Sequence, residues 1–153
     1  TKKLLGTTPE AVCSQCHGER DWPKGFEVAG IMRTLIDSLE SSEFHAGMLV
    51  DGAEQKGMEI TEAKFKLRDV RQARLEARTK VHSFNEGQFR EVTAKGFATA
   101  SVVGEEAQAA IDEYYFRRLG LGVSTLIITI VAISLYLFIR RLERGAVHKK
   151  TST

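Results

Sequence analysis

Between Glu27 and about Lys56, apolar residues recur at three- and four-residue steps: Val28, Ile31, Met32, Leu35, Leu39, and then Leu49, Val50 and Ala53. That period lines one face of a helix, which Gly47 and Gly52 are expected to loosen. Gly57 followed by apolar Met58 fits a stop in which glycine takes the left-handed conformation just past the helix end. Thr61 is a good N-cap for a second helix to about His82, with Ala63, Leu67, Val70, Ala77 and Val81 on one face. Residues 83–85 interrupt it. Asn85 with Gln88 resembles a capping box and opens a third helix, whose buried stripe would be Phe89, Val92, Ala100, Val103, Ala107 and Ile111. Short connections between these helices predict antiparallel neighbours. No internal repeat or low-complexity tract interrupts the pattern.

The third helix meets no stop signal before Arg117, and the sequence then enters an uncharged run from Leu119 to Ile139. Its length of about 21 residues corresponds to roughly 31 Å of helix, matching a hydrocarbon core of about 30 Å. A domain this small could not wrap such a helix on all sides, so a transmembrane helix is expected. Gly120 and Ser124 form a small-xxx-small pair, a weak signal for contact with a partner helix. Arg140, Arg141, Arg144, Lys149 and Lys150 follow the run, whereas Arg117 and Arg118 precede it in a stretch that also carries Glu105, Glu106, Asp112 and Glu113. The positive-inside bias puts the tail on the cytoplasmic side and makes Tyr114, Tyr115 and Phe116 an outer aromatic belt.

The expected fold class is therefore all-α: an N-terminal loop followed by three long antiparallel helices, the last continuing into one C-terminal transmembrane helix. The expected divisions are the loop segment over 1–26, an extracytoplasmic helical bundle or stalk over 27–118, the transmembrane helix over 119–139, and a basic cytoplasmic tail over 140–153.

Composition narrows the chemistry. The chain has 42% hydrophobic and 27% charged residues, but much of the apolar content lies in the uncharged run. The remainder makes a modest core, which a buried prosthetic group would supplement. A net charge of +2 is too small to imply nucleic acid. Two cysteines exclude a disulfide framework and any four-cysteine zinc or iron-sulfur site within this chain. The sequence begins at Thr1 without an initiator Met, a basic n-region or an apolar h-region, so a processed or partial product is expected.

Residues 1–26 hold both prolines, Pro9 and Pro23, with Gly6, Gly18 and Gly25, and read as loop and turns around Cys13-Ser14-Gln15-Cys16-His17. This is the C-x-x-C-H signature of covalent c-type haem attachment. Two thiols one helical turn apart can form thioethers to the two haem vinyl groups, and the adjacent imidazole then sits under the iron as proximal ligand. Competing readings are a thioredoxin-like redox pair, which wants a βαβ context, and a zinc site, which lacks further ligands at suitable spacing. The site reading is one haem c, bound by Cys13, Cys16 and His17, which makes the N-terminal loop a haem-binding loop and residues 1–26 the haem-attachment segment.

Helix geometry ranks the sixth ligands. If unbroken, the first helix carries its far end roughly 45 Å from the haem loop, and His45 roughly 27 Å along it. Met48 and Met58 lie farther still. The second helix returns, bringing His82 beside the start of the first, so His82 is the expected distal metal ligand. A helix-terminal histidine doing no chemistry is its plain alternative; His45, a ligand from another chain, and an open site are the others. His148 falls across the membrane. Trp22 and Phe26 are placed to pack on the macrocycle or simply to fill core. The basic stretch Lys64, Lys66, Arg68, Arg71, Arg74, Arg78 and Lys80 would serve haem propionates or an acidic redox partner, but Glu62, Asp69 and Glu76 among it favour a solvated helix face.

A class I monohaem cytochrome c would supply a methionine ligand from a proline-containing loop, and this chain has no proline after Pro23. A haem motif followed by long helices instead resembles the C-terminal part of membrane-anchored multihaem c-type cytochromes, such as the pentahaem nitrite reductase and hydroxylamine oxidoreductase group. The resemblance is specific at Cys13, Cys16 and His17 and architectural elsewhere. It implies histidine ligation, electron transfer among neighbouring haems, and membership of a larger hetero-oligomeric complex at the bacterial cytoplasmic membrane, with a periplasmic haem domain. The third helix would hold the haem end roughly 48 Å from the membrane, which favours single-electron relay between periplasmic or membrane redox partners over a direct step from quinol. The rival expectations are a haem enzyme with an open sixth site, acting on nitrogen or oxygen compounds, and an anchor or assembly subunit of a respiratory complex.

Overall fold

A computed structural model describes residues 5–150 except 17, 19, 21 and 84, with backbone alone for 13, 16 and 143–150. Among the described residues the chain is helical without strands: α1 (Val12–Cys16), α2 (Pro23–Gln55), α3 (Thr61–Lys80), a 3-10 turn (Val81–Ser83) and α4 (Glu86–Lys150). It divides into two compact units, Thr1–Ile111 and Asp112–Thr153. The first unit ends at Ile111, the last partly buried apolar residue packed on its core.

α2 starts at Pro23, ahead of Glu27, where the apolar period first shows, so the expected loop over 1–26 is shorter and itself contains a helix. Proline at N1 explains the early start: its ring presets φ, and the amide hydrogen it lacks would have no partner there. α2 runs unbroken through Gly47 and Gly52. Neither glycine loosens it, because each faces a neighbour, with a Cβ position 3.8 Å from Leu67 Cδ2 and from Ile111 Cδ1 respectively.

The helix stops as its sequence predicts. Gly57 has φ +74°, its N–H donates to the Glu54 carbonyl at 2.8 Å, and Met58 N–H donates to the Ala53 carbonyl at 3.2 Å. Those two bonds make a Schellman cap, and only glycine adopts that φ without a Cβ penalty. Thr61, by contrast, is the first helical residue of α3 and not its cap; Ile60 occupies the cap position. Burial of Ile60 in the core sets this register, and the Glu59 carboxylate accepts the Thr61 N–H at 3.2 Å in place of a capping hydroxyl. At the head of α4, Gln88 N–H donates to Asn85 Oδ1 at 3.1 Å, which is half of the expected capping box.

The buried positions of α2 form two interleaved series at seven-residue steps: Ala29, Ile36, Glu43, Val50 and Met32, Leu39, Ala46, Ala53. Such a repeat presents a narrow seam to neighbouring helices, as in a coiled coil. The seam packs in three clusters. One holds Leu5, Ala29, Met32, Ile36, Ala77, Val81 and Phe89. The next holds Leu39, Val70 and Ala100, and the third Ala46, Val50, Ala53, Ile60, Ala63, Val103 and Ala107. Many of these side chains are alanines, so the helices approach closely and each contact buries little area. Phe89 and Met32, both fully buried, make the largest single contributions at the first end, about 1.5–3 kcal/mol each.

Ion pairs supplement this thin core. Arg74 Nε donates to Glu43 Oε2 at 2.7 Å and Arg71 Nε to Glu43 Oε1 at 3.0 Å, across from α3 to α2. Lys64 pairs with Glu54, and Lys66 bridges Glu106 and Glu62. The hydrogen bonds that Lys66 donates to Glu106 first, and to Glu62 next, hold its ammonium above the ordinary lysine range. The basic stretch of α3 is therefore not simply a solvated face; four of its cations hold carboxylates of neighbouring helices. Arg68 lies instead over the Phe65 ring, 5.1 Å from its centroid.

In the second unit every described residue from 115 to 142 is exposed, and the helix is long and apolar enough to cross a membrane. Its hydroxyls turn inward on the backbone: Ser124, Thr125 and Thr129 donate to the carbonyls of Gly120, Leu121 and Thr125 at 2.9, 2.8 and 2.8 Å. These three hydroxyls are thereby satisfied within their own helix.

Candidate functional site

The segment bearing the cysteine motif is built from turns. Ala11 N–H donates to the Thr8 carbonyl at 2.9 Å, and Ser14 N–H to the Ala11 carbonyl at 3.1 Å. The Ser14 hydroxyl lies 2.7 Å from both the Thr8 and Ala11 carbonyls, tying residue 14 back onto the entering strand of chain. This closes the single turn of α1, whose five residues run VCSQC. Cys13 and Cys16 thus stand three residues apart on one helical turn, positions that share a helix face. The side chains of Cys13 and Cys16, and all of His17, lie outside the described residues.

Two anchors hold the approach to this segment against the bundle. Leu5 inserts into the cluster of Met32, Ile36, Val81 and Phe89, and Arg33 Nη1 donates to the Leu5 carbonyl at 3.2 Å. Ala11 is fully buried. Its neighbour Val12 is 50% exposed and Trp22, beyond the motif, is 63% exposed, so apolar surface lies open on both sides of the motif.

The structure places the other predicted ligands differently. His82 is exposed in the 3-10 turn after α3, next to Val81, which packs in the same cluster as Leu5. It therefore lies at the end of the bundle where the approach to the motif is anchored. His45 is exposed on α2 beside Ala46, a member of the cluster at the other end. Its Nδ1 lies 2.7 Å from the Ser41 carbonyl, and its ring makes an edge contact with Phe44 at 6.0 Å. The carbonyl can only accept, so Nδ1 donates the hydrogen in this contact. Met48 is 58% exposed. Among the described residues no three His, Cys, Asp or Glu side chains gather as a metal centre. Trp22 is exposed and Phe26 half-buried.

The apolar period alone did not bring out Glu43, the acidic residue at the α2–α3 seam. The signal was present, since Glu43 sits seven residues after Ile36 and seven before Val50. No family model matches the chain, and neither a curated protein nor a solved structure shows significant similarity to it.

Proposed function

We propose that this chain is a membrane-anchored c-type cytochrome that passes single electrons between periplasmic or membrane redox partners, as a subunit of a larger multihaem complex. The observation that carries the reading is the Cys13-Ser14-Gln15-Cys16-His17 motif, whose first four residues lie on a one-turn helix close to a segment tied to one end of a helical bundle, with Val12 and Trp22 exposed on either side. Cys13 and Cys16 would hold haem c through thioethers and His17 would ligate its iron, supplying one-electron redox chemistry.

The chain's own residues serve attachment and placement. The Ser14 bonds tie the cysteine-bearing turn back to Thr8 and Ala11, and Leu5 with Arg33 fastens the approach to it to the bundle. His82 is favoured as distal ligand over His45 because Val81 and Leu5 share a cluster, whereas Ala46 packs at the other end. An antiparallel arrangement accords with the contacts, since successive α2 positions from Ala29 to Ala53 meet α3 positions in the opposite order, Ala77 before Ala63. The apolar run supports a single-pass anchor, and Arg140 and Arg141 after it support a cytoplasmic C-terminus.

Expression of the chain with a c-type haem maturation system tests this. Denatured, acid-acetone-extracted protein should retain haem peroxidase stain and a pyridine haemochrome band, and Cys13→Ser with Cys16→Ser should lose both. Absence of covalent haem in the unaltered chain refutes the cytochrome reading. Six-coordinate low-spin iron that becomes high-spin in His82→Ala supports electron transfer with His82 as ligand; high-spin iron in the unaltered chain, binding added small ligands, favours the enzymatic rival.

A further inference from the structure

Two arginines stand at the head of the apolar run, and the helix treats them differently. Arg117 is neutralised on its own helix: its Nε and Nη2 donate to Glu113 Oε1 at 3.0 and 2.5 Å. Arg118 makes no ion pair among the described residues; its Nη1 donates to the Tyr114 hydroxyl at 3.1 Å. That bond draws the guanidinium toward the preceding turn, away from the apolar residues that follow. Arg118 is the last charge before Leu119, and beneath it a shallow groove continues over Gly122, Thr125, Leu126 and Thr129. Gly122 opens the groove, since no atom lies within 4 Å of where its Cβ would be, and the hydroxyls of Thr125 and Thr129 are spent on their own carbonyls. The groove wall therefore presents methyl and methylene groups.

An uncompensated cation at the mouth of an apolar groove, at the depth where hydrocarbon gives way to headgroups, matches an anionic phospholipid. A second copy of the chain fits poorly, because parallel association along this face would bring two unpaired Arg118 side chains together at low dielectric. We propose that Arg118 and the Gly122 groove form a binding site for one anionic phospholipid of the surrounding bilayer, the phosphate on Arg118 and one acyl chain along Gly122 to Thr129. This rests on the membrane-anchored reading above.

The test is native mass spectrometry of the full chain purified in dodecyl maltoside and supplemented with dioleoylphosphatidylglycerol or dioleoylphosphatidylcholine, beside alkaline carbonate extraction of the source membranes. The unaltered chain should retain one phosphatidylglycerol and little phosphatidylcholine. Arg118→Gln and Gly122→Leu should each lower that retention at least fivefold, the first by removing the charge and the second by filling the groove, while Arg117→Gln changes it less than twofold. Equal retention of the two lipids, or an Arg117→Gln effect as large as that of Arg118→Gln, overturns the site. So does efficient disulfide dimerisation of Gly122→Cys in membranes, which would assign the groove to a second copy. A chain that resists carbonate yet retains no phosphatidylglycerol refutes the lipid site alone; a chain released by carbonate refutes the membrane reading with it.

Discussion

Among the described glycines, Gly96 leaves the least room for a Cβ, and Gly104 on the same helix leaves more. A Cβ added at Gly96 meets Leu39 Cδ1 at 3.0 Å, Leu39 Cδ2 at 3.1 Å and Ala73 Cβ at 3.2 Å. A Cβ added at Gly104, on the same helix, meets only Leu49 Cδ1, at 3.8 Å. Optimal carbon contacts lie at about 3.5–4.0 Å, so Gly104→Ala fits as it stands and Gly96→Ala does not. Both substitutions gain about 1 kcal/mol of helix propensity. At Gly96 this is opposed by overpacking of about 1–3 kcal/mol, because Leu39 is fully buried and Ala73 Cβ can yield only if the α3 backbone moves. Gly104→Ala should therefore stabilise by about 0.5–1 kcal/mol, and Gly96→Ala should be neutral to about 2 kcal/mol destabilising. Thermal unfolding of the full chain in detergent, followed by far-UV circular dichroism, would read a gap of several degrees, at about 4–8 °C per kcal/mol for a domain of this size. Hydrogen exchange over 86–111 would localise it. If Gly96→Ala raises the midpoint as much as Gly104→Ala, the three-helix contact at Gly96 is wrong.

Other outcomes follow from the same geometry. Glu43→Ala should cost about 1–3 kcal/mol, less than a fully buried pair because Arg71 is exposed, and a double-mutant cycle with Arg74→Ala in urea should show coupling of about 1 kcal/mol. Gly57→Ala forces a side chain into φ +74° and should cost about 1 kcal/mol, seen as faster exchange of the Met58 amide. The Thr61 hydroxyl first, and its N–H next, hold the Glu59 carboxyl below the usual glutamate range. Its folded-state pKa is depressed, so the associated stability is present above the unfolded glutamate pKa and is lost as pH falls through the folded one. Carboxyl-detected NMR should show Glu59 titrating below a free glutamate, and Thr61→Val should move it upward; an unchanged titration refutes the contact.

The long helices were legible in the sequence because the apolar residues recur at helical steps and the stops carry their own chemistry. Gly57 with Met58 announces its cap, and Asn85 announces the start of α4. Other local signals misled because the tertiary core outweighed them. Thr61 looks like a cap, but burying Ile60 shifts the register by one residue. Gly47 and Gly52 look like weak points, but each accommodates a side chain from a neighbouring helix. The basic residues of α3 look solvated until Glu43, Glu54 and Glu106 are brought opposite them.

Sequence alone determined the helical class, the apolar run from Leu119 to Ile139, and the pairing of two thiols with an imidazole in one short motif, because each depends on residues close together in the chain. Tertiary structure decided what meets across distance: that Leu5 fastens the motif's segment to Val81 and Phe89, that Glu43 holds Arg71 and Arg74, and that Gly96 lets three helices touch. Those contacts join residues tens of positions apart, and a period of 3.6 says which face is apolar without saying which partner covers it.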